Sequence, residues 1–459
     1  MPSSSDDRAP APSHDEVLTG WGLTMPSRAR VVRVRDTADV VDEVGNAGPR
    51  GILARGAGRT YGDAAQNGGG TVLDLAGLAA IEVLDDGDVV AGAGAMLADI
   101  VPEVLAHGRF LPVTPGTRYV TVGGAIAADV HGKNHHVDGS IGAHLRWIDL
   151  VTADGSVRRL ARDGSTEDQR LLDATIGGMG LTGVVLAARF GTIPSPSPYV
   201  RVDTYRVDGL DELMARMVDD DVKHRYSVAW VDGMAKGAKL GRGVLTVADH
   251  AEPGASQRRD GTPTAGLPRL SMPPVPVSPL NRVSLGAFNE AYFRKAPREK
   301  LGALEGLAPF FYPLDVVGRW NRLYGPGGFL QYQFAVPDSG GEVVRRSLEA
   351  LAGIGAPSFL SVLKRFGPGS AASPLSFPIE GWTLAVDVPT RVEGLAQVLD
   401  DLDELVLAAG GRLYLAKDSR AVPATIAAGY PRLPEFQALV RELDPSRVFV
   451  SDQARRLSL

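Results

Sequence analysis

IGGMGLTGVVLAARF, residues 176–190, spells G-x-G-x-x-G at Gly178, Gly180 and Gly183. That spacing marks a dinucleotide-binding turn only where the last glycine opens a helix whose N-terminus meets the pyrophosphate. Here Gly183 is followed by VVLAARF, a β-branched, apolar run that reads as a strand. The fingerprint lacks its helix, so a Rossmann fold is not expected.

Upstream, ARGAGRTYGD (54–63) follows the strand-like GILA with Gly56, Gly58 and Gly62, and PVTPGTRYVTVGGAIA (112–127) offers Gly116, Gly123 and Gly124. With Gly177, Gly178, Gly180 and Gly183 they make three loops whose freed backbone N–H groups can nest anionic oxygens. Any one could be an ordinary turn. Three of them between short strands point to a diphosphate cradle on an α+β framework.

The chain has 459 residues, 44% hydrophobic and 22% charged, the composition of an ordinary globular protein. A net charge of -6 provides no basic field for phosphate backbones, so nucleic acid is not an expected partner. With no cysteine, disulfides, thiolate-ligated zinc, iron–sulfur clusters and a cysteine nucleophile are excluded.

MPSSSDDRAPAPSHDEV (1–17) is polar, rich in Pro and Ser, and without an apolar core, so it reads as a flexible tail and not a signal peptide. No apolar run approaches the ~18 residues of a spanning helix, so any membrane contact is expected to be peripheral. Glycine-punctuated short strands fill 18–195. After PSPSPY (194–199) the strands lengthen to about residue 410, and 411–459 return to a compact strand-and-helix style. Pro, Gly and Ser are so dense in 250–281 that a mobile loop is expected there.

HGKNHH (131–136) sets His131 and His135 four apart, a spacing that on a helix would suit two zinc ligands. Gly132 and the small residues before it argue for a loop, and no carboxylate stands at a suitable spacing, so no metal is expected. His135 and His136 read as polar loop residues, solvated or satisfied by backbone groups.

In order, ARGAGRTYGD, TPGTRYVTVGGAIAADVHGKNHH with GSIG, and GGMGLTG resemble the FAD domain of the vanillyl-alcohol-oxidase type flavoproteins, the PCMH-type fold. HGKNHH, FLQYQF (329–334), SFPIEGW (376–382), GGRLYLAKDSR (410–420) and SDQARRL (451–457) narrow the resemblance to the branch that oxidises prenylphosphoryl ribose. The expected fold class is therefore α+β: a two-subdomain PCMH-type FAD-binding domain (18–195), a substrate-binding domain with an antiparallel sheet (196–410), and a C-terminal segment (411–459) returning to the FAD domain.

The resemblance implies non-covalent FAD, although relatives in the superfamily attach flavin through a histidine and His131 is the position in this loop that would do so. Carried over residue by residue, it places the cofactor on Arg55, Gly56, Ala57, Gly58, Arg59, Thr60, Tyr61, Gly62 and Asp63, then on Gly116, Thr121, Val122, Gly123, Gly124 and Ala128. His131, Gly132, Lys133, Asn134, Gly180, Gly183, Val184 and Tyr414 complete that set. Substrate contacts are implied at Lys133, Trp230, Tyr312, Gln331, Gln333, Lys364 and Phe366, with Thr383 and Ala385 standing where the family commonly has Asn and Cys.

Strand periodicity agrees with a polar substrate face. In LQYQF, Gln331 and Gln333 share one side; in WTLAVDV, Thr383, Ala385 and Asp387 lie opposite Trp382, Leu384 and Val386; in SVLKRF, Lys364 and Phe366 point together. Lys417, at the end of the strand-like RLYLA, is the expected catalytic cation, with His131 or Tyr61 assisting proton transfer. Its reference pKa of about 10.4 makes charge stabilisation its expected role unless burial lowers that value.

The activity implied is oxidation of the 2'-hydroxyl of decaprenylphosphoryl-β-D-ribose to the 2'-keto sugar, the first half of an epimerisation toward the arabinose donor for cell-wall arabinan. Implied partners are the polyprenylphosphoryl ribose lipid, an NADH-dependent short-chain reductase subunit and a quinone-like electron acceptor. The implied location is cytoplasmic or peripheral at the inner membrane, with the periplasm as the alternative. Competing readings are an aldonolactone or alditol-type sugar oxidase of the same superfamily and a non-catalytic flavin-binding scaffold for a reductase.

Overall fold

Strands Ser27–Arg33, Thr71–Asp74 and Ile52–Arg55 run parallel, and Ser13–Leu18 closes this four-stranded sheet antiparallel at its edge. The computed structural model describes residues 9–255 and 270–459. Helix Thr37–Gly45 covers the sheet with Val40 and Val44, which join Val32, Ile52 and Leu73 in one core. Its N-terminus is fixed by the Asp36 carboxylate, which accepts from the amides of Ala38 and Asp39 at 3.0 and 3.3 Å.

Residues 13–17 thus depart from the expected flexible tail. Ser13 through Leu18 pair in register with Val32 through Ser27. A ladder is made by backbone groups, so the polar side chains of His14, Asp15 and Glu16 stay exposed while Leu18 alone is buried.

A second sheet is antiparallel throughout, in the order Ile81–Val83, Val89–Gly92, Val184–Phe190, Leu145–Val151, Val157–Ala161. VVLAARF is therefore a strand, as its composition indicated. A Cβ at Gly183 would stand 2.4 Å from the Val151 carbonyl oxygen, so this glycine serves strand pairing. At the far end of the chain Phe449 bridges to Ile52, bringing the C-terminal segment back onto the first sheet.

The third sheet has eight antiparallel strands, from Glu299–Gly306 at one edge to Arg412–Leu413 at the other, with Ser361–Phe366, Gly381–Pro389 and Phe329–Pro337 adjacent near the latter. Helices Leu210–Asp221, Gly341–Gly353 and Leu395–Ala408 cover one side, where Leu213, Val344, Leu348 and Leu399 pack with Leu363, Leu384 and Phe334. The opposite side carries Lys364, Thr383, Ala385, Asp387, Gln331 and Gln333, as the period-two reading requires. Arg412 and Leu413 still pair with this sheet, so the chain leaves it just beyond the expected boundary at 410.

Of the loop expected to be mobile at 250–281, residues 256–269 lie outside the described residues. Its flanks are held in place. His250 ends strand Gly243–His250, Leu270–Ser271 pairs with Val317–Gly318, and Ser278 Oγ donates to the Leu323 carbonyl at 2.8 Å.

Candidate active site

The first glycine loop leaves strand Ile52–Arg55 against the start of helix Val122–Ala127. A Cβ on Gly56 would lie 2.0 Å from Thr121 Oγ1, and Gly58 has φ +62°, so this close crossing demands glycine. Thr121 caps the helix by accepting from Gly124 N at 3.3 Å, and Gly124 itself is exposed. Thr60 Oγ1 is buried without a hydrogen-bond partner. A buried orphan hydroxyl beside an open glycine cradle fits the phosphates and ribose of a dinucleotide.

Not every residue of this loop faces that cradle. Arg55 donates to the carbonyls of Ala65 and Thr19 at 2.6 and 2.9 Å, and Asp63 is paired with Arg456 at 2.7 Å. Asn134 donates to the Pro112 carbonyl at 2.6 Å, and Val184 is fully buried opposite Val151. These four brace the fold, so any cofactor contact from them is through backbone.

His131 stands between the glycine-loop domain and the large sheet. Its Nδ1 is 3.3 Å from Lys364 Nζ, its Nε2 is 3.2 Å from Gln333 Nε2, and its ring packs edge-on against Phe366 at 4.7 Å. Burial first, then the charges of Lys364, His135 and Lys417, hold the imidazole well below its usual pKa, so it is neutral. A neutral imidazole has one donor and one acceptor nitrogen. While Lys364 is charged its ammonium can only donate, so Nδ1 then accepts, Nε2 carries the hydrogen, and the Gln333 amide oxygen faces it. Tyr414 supports the ring at 5.6 Å and donates to the Ala128 carbonyl at 2.7 Å.

Lys417 lies over the Tyr61 ring, 4.0 Å from its centroid. RLYLA is a strand only at Arg412–Leu413; Tyr414 N then donates to the Gln333 carbonyl and the chain turns, with Lys417 N donating back to Tyr414. The turn aims Lys417 at the polar sheet face, beside Gln331. Gln331 Nε2 in turn donates to Asp387 Oδ1 at 2.5 Å, while Asp387 Oδ2 is buried without a partner.

Lys417 and Asp387 act on each other. Burial lowers the lysine and Asp387 opposes that shift; burial raises the carboxyl, with the Gln331 bond and the Lys417 charge opposing. Burial also raises the Tyr61 phenol well above its usual range, which keeps it protonated. Asp387 was visible in the sequence as a member of the polar face, yet nothing local distinguished it from a solvated residue.

Two further lysines are half-buried near these groups. Lys133 Nζ donates to the Phe310 carbonyl and lies 4.2 Å from that ring's centroid. Burial and the mutual repulsion with Lys364 bring Lys133 down to about 7, and burial and Lys417 bring Lys364 to about 7. Trp230, on the neighbouring strand, donates to the Phe359 carbonyl at 2.9 Å and packs on Tyr292. Tyr312 bonds Thr114 Oγ1 at 2.8 Å and is buried in the core of the FAD-side domain.

His136 lies in the one-turn helix His135–Asp138, where its Nε2 reaches the His224 carbonyl at 3.0 Å while its Nδ1 is buried without a partner, so the reading as a loop residue satisfied by backbone holds for one nitrogen only. His135 departs from that reading. It is 2% exposed, packs at a tilt on Phe366 at 4.6 Å, leaves both ring nitrogens without partners, and is pulled down to about 3 by burial and then Lys364. The long-range contact with Phe366 buries it, which no local pattern encodes.

Residues 28–161 match the FAD binding domain family. Decaprenylphosphoryl-β-D-ribose oxidase of Mycolicibacterium smegmatis is 42% identical over 458 residues, covering 98% of each chain. Alditol oxidase of a Streptomyces species is 25% identical over 466 residues, covering 96% of this chain and 98% of its own. L-gulono-1,4-lactone dehydrogenase of Mycobacterium tuberculosis is 24% identical over 459 residues, covering 96% and 99%. Cradle, sheet face and half-buried cations together define an FAD-dependent oxidoreductase. Its likeness over nearly the full length is narrower, and the chain belongs to the decaprenylphosphoryl-β-D-ribose oxidase family.

Proposed function

We propose that the enzyme oxidises the 2'-hydroxyl of a polyprenylphosphoryl ribose to the 2'-keto sugar, on FAD held without a covalent bond. The observation that carries this reading is the convergence of His131, Lys364, Gln333 and Lys417 on the one polar face of the large sheet, beside the glycine cradle. FAD, when bound, accepts the hydride. The glycine loops and Thr60 would hold its phosphates and ribose, and Tyr61, His131 and Tyr414 are the side chains that would meet its ring system.

The side chains then have three tasks. Lys417, kept charged by Asp387, stabilises negative charge that develops as the sugar is oxidised. Gln331, Gln333 and Thr383 orient the sugar hydroxyls, and Lys133 and Lys364 face the lipid phosphate. His131, neutral and locked between Lys364 and Gln333, offers a fixed polar ring that positions the substrate. Both His131 nitrogens are engaged by protein groups, which supports non-covalent flavin.

Among the described residues no helix is long and apolar enough to cross a membrane. The lipid substrate therefore calls for peripheral contact, and the keto product calls for a separate NADH-dependent reductase, with a quinone-like acceptor reoxidising the flavin. The test is turnover of a short-chain prenylphosphoryl ribose with an artificial acceptor, read by the mass of the lipid product. Loss of two hydrogens supports the assignment; peroxide release from free alditols with an unchanged lipid would move the enzyme to the alditol oxidase reading.

A further inference from the structure

A second cleft, of about 430 Å3, opens between helix Leu433–Leu443 and helix Asp452–Leu457. Its rim carries Arg50, Arg441, Arg447 and Arg455, and its floor includes Val440 and Phe449. That volume lies within the range of small-molecule sites. No lining residue belongs to the oxidation site described above, and Leu181, between Gly180 and Gly183, forms one wall.

Of the four arginines only Arg455 has an ion-pair partner among the described residues, Asp452 at 2.9 Å. Asp444 lines the cleft, but its oxygens accept from the amides of Val448 and Phe449 at 2.7 and 2.8 Å, and so close the turn that leads into the Phe449 bridge. Asp452 is shared among Ser27, Gly68 N and Arg455, and Glu442 lies 3.5 Å from Arg170. Among the described residues Arg441 and Arg447 have no ion-pair partner.

Two of the four guanidinium groups are also held in place. Arg455 is fixed by Asp452, Asn67 Oδ1 and the Arg50 carbonyl, and Arg50 donates twice to the Gly68 carbonyl, at 3.0 and 2.8 Å. Arg447 has φ +55°, a conformation that a non-glycine residue adopts only when its surroundings enforce it. Burial, and then the charge of Arg50, lower the Arg455 pKa, Asp452 opposes, and Arg447 lowers it further, so like charges are gathered here and their repulsion is only partly offset. An anion would relieve that repulsion, and guanidinium forks match phosphate oxygens.

We propose that this cleft is a second binding site, for a phosphate-bearing ligand, with Arg441 and Arg447 clamping the phosphate and Val440 and Phe449 receiving the apolar group attached to it. The same chemistry is presented by an anionic lipid headgroup and by a soluble phosphate compound, and the experiment separates them. FAD-loaded full-length protein is titrated with inorganic pyrophosphate, and sedimented with phosphatidylglycerol vesicles against pure phosphatidylcholine vesicles, all at constant ionic strength. The R441Q/R447Q double variant is run in parallel.

The expected result is binding to at least one probe that weakens tenfold or more in the double variant, with flavin absorbance and turnover of a soluble short-chain substrate unchanged. Pyrophosphate binding without vesicle binding assigns a soluble ligand, and the reverse assigns a lipid headgroup. Binding to neither probe, equal affinity in the variant, or a pyrophosphate response matched by sulfate would overturn the proposal.

Discussion

His131 Nδ1 lies 3.3 Å from Lys364 Nζ, so a neutral imidazole and a lysine share one hydrogen-bond contact between the loop after helix Val122–Ala127 and the large sheet. Gln333 holds the other nitrogen from the same sheet face. His131→Phe keeps the ring packing against Phe366 and Tyr414 but removes both polar partners. FAD content is expected to stay, flavin reduction to fall at least tenfold, and stability to drop by about 1–3 kcal/mol, the range for leaving a buried polar group unpaired. Flavin absorbance, stopped-flow reduction and urea unfolding measure the three separately.

Lys417→Ala should likewise retain FAD and lose substrate-driven flavin reduction, by roughly 100- to 1000-fold if the ammonium stabilises charge in the transition state. Wild-type reduction rates would remove Lys417 from the mechanism.

Asp387 makes a prediction about pH. Lys417 works while charged, so flavin reduction declines as pH rises through its pKa, which burial has already lowered. Asp387→Asn removes the one charge that opposes that lowering, so the alkaline limb moves to lower pH. A limb that does not move would show that Asp387 acts only through Gln331.

Lys133 and Lys364, both near 7, are largely uncharged in the free protein above neutral pH. A bound phosphate raises both values, so binding near pH 8 takes up protons and weakens as pH rises. Calorimetry in buffers of different ionisation enthalpy reads that uptake. The unfolded lysines, at about 10.4, hold protons that the folded ones have lost, so the free protein gains stability between about pH 7 and pH 10 from these groups.

Ala385 faces the polar side of the sheet opposite Gln333. The chain has no cysteine, so a thiol-directed electrophile shaped for this pocket should leave its intact mass unchanged. Ala385→Cys should acquire the adduct; an adduct on the wild type would contradict this.

Much of the site was legible because a strand alternates strictly: Gln331 with Gln333, and Thr383 with Asp387, could be placed on one face from the sequence alone. What a face meets was not legible, which is why Asp387 was placed on the face but given no role, and His135 was read as solvated or satisfied by backbone groups. Both depend on residues distant in the chain: Gln331 bonds Asp387, and Phe366 packs on His135. Residues 13–17 show the converse, since their strand pairing rests on backbone groups and their polar side chains carry no sign of it. RLYLA was too short a run to distinguish a strand from the two-residue pairing and turn that deliver Lys417.

The central claim is hydride transfer from prenylphosphoryl ribose to bound FAD. Purified protein is mixed anaerobically with a short-chain prenylphosphoryl ribose while the visible flavin absorbance is followed. Bleaching is the expected result. A bound flavin that stays oxidised with this sugar, and bleaches instead with a free alditol or lactone, would contradict the assignment and leave only the fold standing.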